Sequence, residues 1–154
     1  MEDRITRDEM LMQIAQITAR RSTCDRKHVG AIIARDGRIL TSGYNGAPAG
    51  MAHCNHSSDN QDIVTGTGDI LIKKTTVEGC TRAVHAEANA IAYSARYGID
   101  VSNSDLFTTL SPCLACAQLI VNSGISRVVC LELYRDIIGV RLLHDAGLEV
   151  VVVE

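Results

Sequence analysis

The sequence predicts one α/β domain over residues 1–154, with three layers (α/β/α) and a five-stranded mixed sheet. Two observations predict this architecture. The front half contains two strands joined by a tight hairpin turn at Asp36-Gly37, and the back half alternates three strands with two helices. A hairpin is antiparallel, whereas a β-α-β-α-β order implies parallel strands with right-handed crossovers, so one sheet that contains both is mixed. A length of 154 residues, 46% of them hydrophobic, suits a single core.

The front half begins with an amphipathic helix. Thr6, followed three residues later by Glu9, predicts a capping box, and apolar residues recur at helical spacing up to about Arg20. Residues 29–34 are apolar on both faces, as expected of a central strand, and residues 38–44 form the returning strand.

The back half repeats a strand-helix pattern after a region of different character. Residues 50–80 lose the apolar periodicity and are rich in polar residues and glycine, which predicts an inserted surface loop. A helix then ends near Gly98, and Ser111 and Pro112 are expected to be the N-cap and first residue of a second helix. The predicted helices span 81–97, 112–123 and 136–146, and the predicted strands span 105–110, 127–133 and 148–153.

Composition argues against two classes of partner. The net charge of −3 and the pI near 5.9 provide no general attraction to a nucleic acid, and aromatic residues are only 3% of the chain. No apolar run has the length of a membrane span, and the first residues lack a signal-peptide pattern, so we expect a cytoplasmic protein. In that compartment the six cysteines are expected to be metal ligands or buried thiols rather than disulfides.

Two short motifs carry the residues of a catalytic metal site. His85-Ala86-Glu87 precedes Ser111-Pro112-Cys113-Leu114-Ala115-Cys116, in which the two cysteines are three residues apart and share a helix face. The start of a helix favours the thiolate form that binds metal. His85, Cys113 and Cys116 provide three ligands for zinc and leave a fourth position for water. Glu87 is then a proton carrier, and His85 and Glu87 should lie at a helix start.

Alternatives to this interpretation are a structural zinc site or a redox cysteine pair. Neither explains the carboxylate of Glu87 beside the predicted ligands. A second, closed zinc site is also predicted, with reduced thiols and surface imidazoles as the alternative. Its candidate ligands are Cys24, His53, Cys54, His56 and Cys80.

His-x-Glu followed by Pro-Cys-x-x-Cys resembles the signature of the zinc deaminases. The likeness extends to the deoxycytidylate (dCMP) deaminase family, of which the Gly-Tyr-Asn-Gly run is the most specific element. The similar segments are Arg21-Ser22-Thr23-Cys24-x-Arg26, Val29-Gly30-Ala31, Ser42-Gly43-Tyr44-Asn45-Gly46-Ala47-Pro48-x-Gly50, His53-Cys54, Cys80-Thr81-Arg82 and His85-Ala86-Glu87-x-Asn89-Ala90-Ile91.

The resemblance implies a cytidine-deaminase-like fold and hydrolytic deamination of dCMP to dUMP, which supplies dTTP synthesis. It implies a catalytic Zn²⁺, with Glu87 moving protons between water, the pyrimidine N3 and the leaving amino group. It also implies a homo-oligomer, a trimer or hexamer, activated by dCTP with Mg²⁺ and inhibited by dTTP. Tyr44, Tyr93 and Arg96 resemble the regulatory positions.

Several residues are candidates for substrate binding. Arg26 is the first candidate to bind the phosphate, ahead of Arg135 and Arg82. Asn45 is expected to bind the sugar hydroxyl, while the main chain at Ala86 could hold the base edge. Further candidates are Ser111, Pro112 and Tyr134, of which Tyr134 could cover the substrate. Another zinc deaminase, acting on tRNA adenosine or free cytidine, and a non-catalytic zinc scaffold remain as alternative functions.

Overall fold

The computed structural model describes residues 4–54, 80 and 82–153 of the chain. Within them, five strands form one mixed sheet in the order β2-β1-β3-β4-β5, as the sequence predicts. β1 is antiparallel to both β2 and β3, and β3, β4 and β5 are parallel. The strands are β1 (Gly30–Arg35), β2 (Arg38–Tyr44), β3 (Asp105–Leu110), β4 (Arg127–Glu132) and β5 (Glu149–Val152); the helices are α1 (Arg7–Ala19), α2 (Ala86–Tyr97), α3 (Leu114–Asn122) and α4 (Ile138–Asp145).

Helices cover the two faces of this sheet. α1 packs on one face over β1 and β3, where Leu11, Ile32 and Phe107 are fully buried. The other face is covered by α2, α3 and α4, with Ile120 and Leu143 at the centre of a second core cluster. The three-layer arrangement is therefore confirmed. No helix among the described residues is long and apolar enough to cross a membrane.

Several local predictions are confirmed. Thr6 caps α1, and Glu9 completes the capping box by accepting a hydrogen bond from the Thr6 main chain over 2.6 Å. The hairpin turn has φ values of 53° at Asp36 and 75° at Gly37, a left-handed pair that glycine tolerates and that matches the twist of the strands. Cys130 is a fully buried core residue in β4.

Three predicted helix starts are wrong, of which that of α4 lies at Ile138 rather than at residue 136. α2 begins at Ala86 rather than at residue 81, because Val84 pairs with Gly46 in an isolated antiparallel bridge that keeps the chain extended up to His85. α3 begins at Leu114 with Cys113 as its N-cap. Ser111 cannot cap it, because its main-chain N–H donates to Glu132 and its hydroxyl accepts a hydrogen bond from the main chain of Tyr134.

One end of the sheet gathers the loops that carry the predicted site. β3 and β4 end there, and because β1 runs antiparallel to β3, β1 begins there and β2 ends there. At the opposite end, Arg127 forms ion pairs of 2.6 Å with Asp8 and 3.5 Å with both Asp105 and Glu149. This network connects α1 to three strands at the end of the sheet that lies away from the predicted site.

Candidate active site

The predicted zinc ligands meet at the starts of two helices. His85 is the N-cap of α2 and Cys113 is the N-cap of α3, while Cys116 lies in the first turn of α3. The His85 Nδ1 atom is 3.4 Å from the sulfur of Cys113 and 3.4 Å from the sulfur of Cys116. We call these three residues the His-Cys-Cys cluster.

The spacing of these donor atoms fits a tetrahedral zinc ion. Zinc binds sulfur at about 2.3 Å and nitrogen at about 2.0 Å, so tetrahedral S and N ligands of one ion are separated by about 3.5 Å. The observed 3.4 Å separations match that value. Within the described chain the cluster has three such donors within 4.8 Å of one another, which leaves a fourth tetrahedral position outside this set.

The two thiols of the His-Cys-Cys cluster differ in their pKa values. Hydrogen bonds from Cys116 and from His85 hold the pKa of the Cys113 thiol well below its usual range. The neighbouring Cys113 sulfur and burial raise the pKa of Cys116. The hydrogen bond with Cys113 likewise raises the pKa of His85. The three donors are therefore electrostatically coupled, and metal binding requires both thiols to lose their protons.

Glu87 stands beside the cluster without belonging to it. It is the second residue of α2, and its side chain is only 4% exposed. Burial raises the pKa of Glu87 to about 7, against the opposing effects of its own N–H and of the charge on His85. A buried carboxyl that titrates near neutrality can both accept and release a proton.

A cavity of about 500 Å³ opens over Glu87 and the His-Cys-Cys cluster, within the usual range for a small-molecule site. Most of the predicted substrate residues line it. The lining includes Arg26, Lys27, Asn45, Ala86, Ser111, Tyr134 and Arg135. Pro112 is buried beside it, between two lining residues. Lys27 was not among the sequence candidates, although it is adjacent to Arg26 in the chain, whereas Arg135 was a candidate for the phosphate.

Asn45 has a structural task that the sequence does not reveal. Its side-chain oxygen accepts a 2.7 Å hydrogen bond from Val29 N–H, and its side-chain nitrogen donates over 2.7 Å to the carbonyl of Lys27. Asn45 is 8% exposed and lies where β2 ends. The residue therefore fixes the loop before β1, which carries Arg26, whether or not it also contacts a ligand.

The predicted regulatory residues lie on or near the outer side of α2. Tyr93 is half exposed, and its ring centroid is 4.5 Å from that of Tyr97. The Arg96 guanidinium lies 5.6 Å from the centre of the Tyr97 ring. Tyr44 is at the end of β2, where its carbonyl accepts a hydrogen bond from Asn89 of α2.

The second predicted cluster also forms in part. Cys24, Cys54 and Cys80 place their sulfurs within 4.8 Å of one another, and we call them the three-cysteine cluster. The sulfurs of Cys54 and Cys80 are 3.6 Å apart, close to the roughly 3.8 Å expected between two thiolates on one tetrahedral zinc. His53 is exposed and is not in this group, and His56 lies outside the described residues.

Comparison with known proteins gives consistent matches. The family model described as "Cytidine and deoxycytidylate deaminase zinc-binding region" matches residues 5–132, which contain both clusters. The chain is 44% identical over 125 residues to a deoxycytidylate deaminase of Mycobacterium phage D29, covering 79% of this chain and 91% of that protein. ComE operon protein 2 of Bacillus subtilis is 33% identical over 153 residues, covering 99% of this chain and 74% of that protein.

A solved structure matches over almost the whole length. The crystal structure of dCMP deaminase from the cyanophage S-TIM5, in complex with dCMP and dUMP, gives a TM-score of 0.78 at 30% identity. The match covers 94% of this chain and 95% of the phage protein.

Proposed function

This chain belongs to the cytidine and deoxycytidylate deaminase family, and on that premise we propose that it hydrolyses dCMP to dUMP and ammonia. The observation that carries the proposal is the pairing of a three-donor His-Cys-Cys cluster with a buried carboxyl, Glu87, that is not a ligand. The relatives named deoxycytidylate deaminase and the solved dCMP complex support the choice of substrate.

The residues of the His-Cys-Cys cluster would hold the zinc. A bound zinc ion supplies positive charge and lowers the pKa of a coordinated water toward neutrality. His85 and the two cysteines are presented by the main chain at two helix starts, so their donor atoms are placed before any metal arrives. This placement reduces the entropy that binding has to overcome.

Glu87 carries the protons of the proposed reaction. Its carboxylate accepts a proton from the attacking water and delivers it to N3 of the cytosine ring, which makes C4 more electrophilic. The hydroxide that remains adds to C4. The carboxylate then takes the second proton from the new C4 hydroxyl and donates it to the amino nitrogen, so the C4–N bond breaks, ammonia leaves and a C4 carbonyl forms. One water is consumed and one ammonia is released. A pKa near 7 suits a group that performs both transfers.

The substrate residues are assigned by their positions in the cavity. Arg26 and Arg135 are cations in its lining and would bind the phosphate, and Tyr134 would cover the base or sugar. The main chain at Ala86 would hold the base edge beside Glu87. Ser111 would act through Tyr134, whose main chain it fixes over 2.7 Å. Asn45 would add a contact to the sugar while holding the loop of Arg26 in place.

Other parts of the proposal concern the second metal and regulation. Cys24, Cys54 and Cys80 would bind a structural zinc with a fourth ligand from elsewhere. A cytoplasmic homo-oligomer, activated by dCTP with Mg²⁺ and inhibited by dTTP, remains our prediction, as does the single domain with its insertion at about 50–80. Sigmoidal dCMP kinetics that become hyperbolic with dCTP would support the regulation, and hyperbolic kinetics without any effector response would remove it.

A direct assay tests the function. The zinc-loaded protein is given dCMP and, separately, deoxycytidine, and ammonia release is measured. We expect turnover of dCMP with a kcat/KM at least about 100-fold above that of deoxycytidine, because the nucleoside lacks the phosphate that Arg26 and Arg135 would bind. Equal rates would defeat the phosphate assignment, and no turnover of dCMP would defeat the proposed function.

A further inference from the structure

An ion pair joins Lys27, which lines the cavity, to Glu132, whose next two residues line it. The Lys27 Nζ atom is 2.7 Å from the Glu132 Oε2 atom, although the residues are 105 positions apart in the chain. Lys27 lines the cavity, as do Leu133 and Tyr134, which follow Glu132 directly. The pair therefore connects the loop before β1 to the end of β4, beside the cavity.

The main chains on both sides of this pair are fixed. Asn45 accepts from the Val29 N–H and donates to the Lys27 carbonyl, which holds the lysine's loop. Glu132 is the last residue of β4, and its carbonyl accepts a 2.8 Å hydrogen bond from Ser111. Both side chains are more than half exposed, and an exposed ion pair contributes little to stability. The ion pair is therefore expected to matter more for the charge of the cavity than for the stability of the fold.

The cavity is lined by several cationic side chains, and Glu132 forms an ion pair with one of them. Arg26, Lys27 and Arg135 are three cations in the lining, of which the guanidinium of Arg135 also lies 5.5 Å from the Tyr134 ring centre. A phosphate monoester carries a charge of about −2 at neutral pH. Each further cation that the cavity offers favours a ligand with a second phosphate. Glu132 forms an ion pair with one of these cations, Lys27. The pair therefore reduces the positive charge available to a longer phosphate chain.

We propose that Glu132 is a specificity-determining residue that restricts the cavity to nucleotides with one phosphate by keeping Lys27 engaged. This inference rests on the proposed function, and it adds the number of phosphates that the site accepts. A nucleoside diphosphate would have to displace Glu132 from Lys27 before that lysine could bind its second phosphate. Withholding a partner from the competing ligand is an established route to specificity.

The test replaces Glu132 and measures the preference between dCMP and dCDP. The preference is the ratio of kcat/KM for dCDP to kcat/KM for dCMP. The affinity of dCDP as a competitive inhibitor is also measured, because this gives a result even if dCDP is not deaminated. In Glu132→Gln we expect the ratio, or the affinity for dCDP as an inhibitor, to rise about tenfold, because one charge-assisted bond to the second phosphate becomes available.

Two further variants connect this effect to the ion pair. In a Lys27→Gln background, Glu132→Gln should leave the ratio unchanged, because no lysine remains to be released. Glu149→Gln is the matched control. Glu149 is an exposed first residue of a strand and also pairs with an arginine, but it lies at the opposite end of the sheet. It should leave the preference unchanged.

The outcomes separate this inference from the function on which it rests. If the wild-type protein deaminates no dCMP, the proposed function has failed. If dCMP is deaminated but Glu132→Gln leaves the preference unchanged, Glu132 does not determine specificity. The same holds if the variant raises kcat/KM equally for dCMP and dCDP. A tenfold rise that persists without Lys27 would also overturn the proposal. Glu132→Ala is measured in parallel, and thermal melting of each variant shows that a lost preference is not a lost fold.

Discussion

The two sulfur clusters of this molecule have similar donors and different surroundings. Each brings three donor atoms within 4.8 Å of one another. The His-Cys-Cys cluster is built on two helix starts and has the buried carboxyl of Glu87 beside it. The three-cysteine cluster joins loop segments, and burial and the neighbouring thiols raise the pKa of Cys54 to about 12. The donor spacing of both clusters is suitable for a metal ion, but only the His-Cys-Cys cluster is described with a buried carboxyl group beside it. The spacing therefore predicts metal binding, and the carboxyl group predicts catalysis.

The contrast also appears in how the chain would respond to losing a metal. The His-Cys-Cys cluster rests on α2 and α3, which are held by the core independently of any ion. Cys24, Cys54 and Cys80 lie outside the helices and strands of the described part of the chain. A structural zinc contributes directly to folding free energy where the surrounding chain is otherwise weakly held. Removal of a ligand should therefore affect chemistry at one cluster and stability at the other.

The largest expected effect comes from removing one ligand of each cluster. Cys116→Ser should abolish dCMP turnover, because zinc at that cluster supplies the activated water. Cys54→Ser should retain measurable turnover and lower the melting temperature by at least about 5 °C, at roughly 2–4 °C per kcal/mol for a chain of this length. Each variant should contain less zinc than the wild-type protein. The comparison breaks if Cys54→Ser is inactive while its melting temperature is unchanged.

A smaller effect is expected from the acid alone. Glu87→Gln keeps the shape of the side chain but removes its ability to transfer protons, so kcat should fall by about 10²–10⁴-fold. Zinc content should stay at the wild-type level, because Glu87 is not one of the donors. Metal analysis and kinetics on the same preparation check both points. Turnover within about threefold of the wild-type rate would show that another group carries the protons.

Much of this molecule could be predicted from local patterns. β2 and β3 have the predicted ends, and the capping box at Thr6 and Glu9 forms because both partners lie within one turn of chain. The His-Cys-Cys cluster was predictable for a related reason. Motif spacing places His85 at one helix start and Cys113 at another, and the parallel strand order brings those starts to one edge of the sheet.

What could not be predicted depends on contacts between distant residues. Ser111 reads as an N-cap from its neighbours, but its hydroxyl is engaged by the main chain of Tyr134, 23 residues later. The start of α2 was misplaced because its limit is set by the bridge to Gly46. The ion pair of Lys27 and Glu132 joins residues from opposite halves of the chain. No periodicity or spacing encodes such pairings, which follow only from the assembled sheet.

The smallest expected effect comes from matched glycine variants that move each cluster without removing a donor. A Cβ at Gly139 would lie 2.1 Å from the Pro112 carbonyl oxygen and 2.7 Å from the Cys113 carbonyl carbon. A Cβ at Gly46 would lie 2.2 Å from the Thr23 hydroxyl oxygen, next to Cys24. Neither glycine has space for a methyl group, so the neighbouring chain must shift in both variants.

Gly139→Ala should displace Cys113 and lower kcat/KM for dCMP by about 10–100-fold, since a displacement of about 1 Å at a reacting centre can have that effect. Gly46→Ala should lower the melting temperature with less than about a threefold change in kcat/KM, because the Thr23 side chain moves more readily than a backbone carbonyl. Steady-state kinetics and thermal melting of the two zinc-loaded variants make the comparison. If Gly46→Ala loses more activity than Gly139→Ala, the three-cysteine cluster positions the substrate, and its assignment to stability alone is wrong.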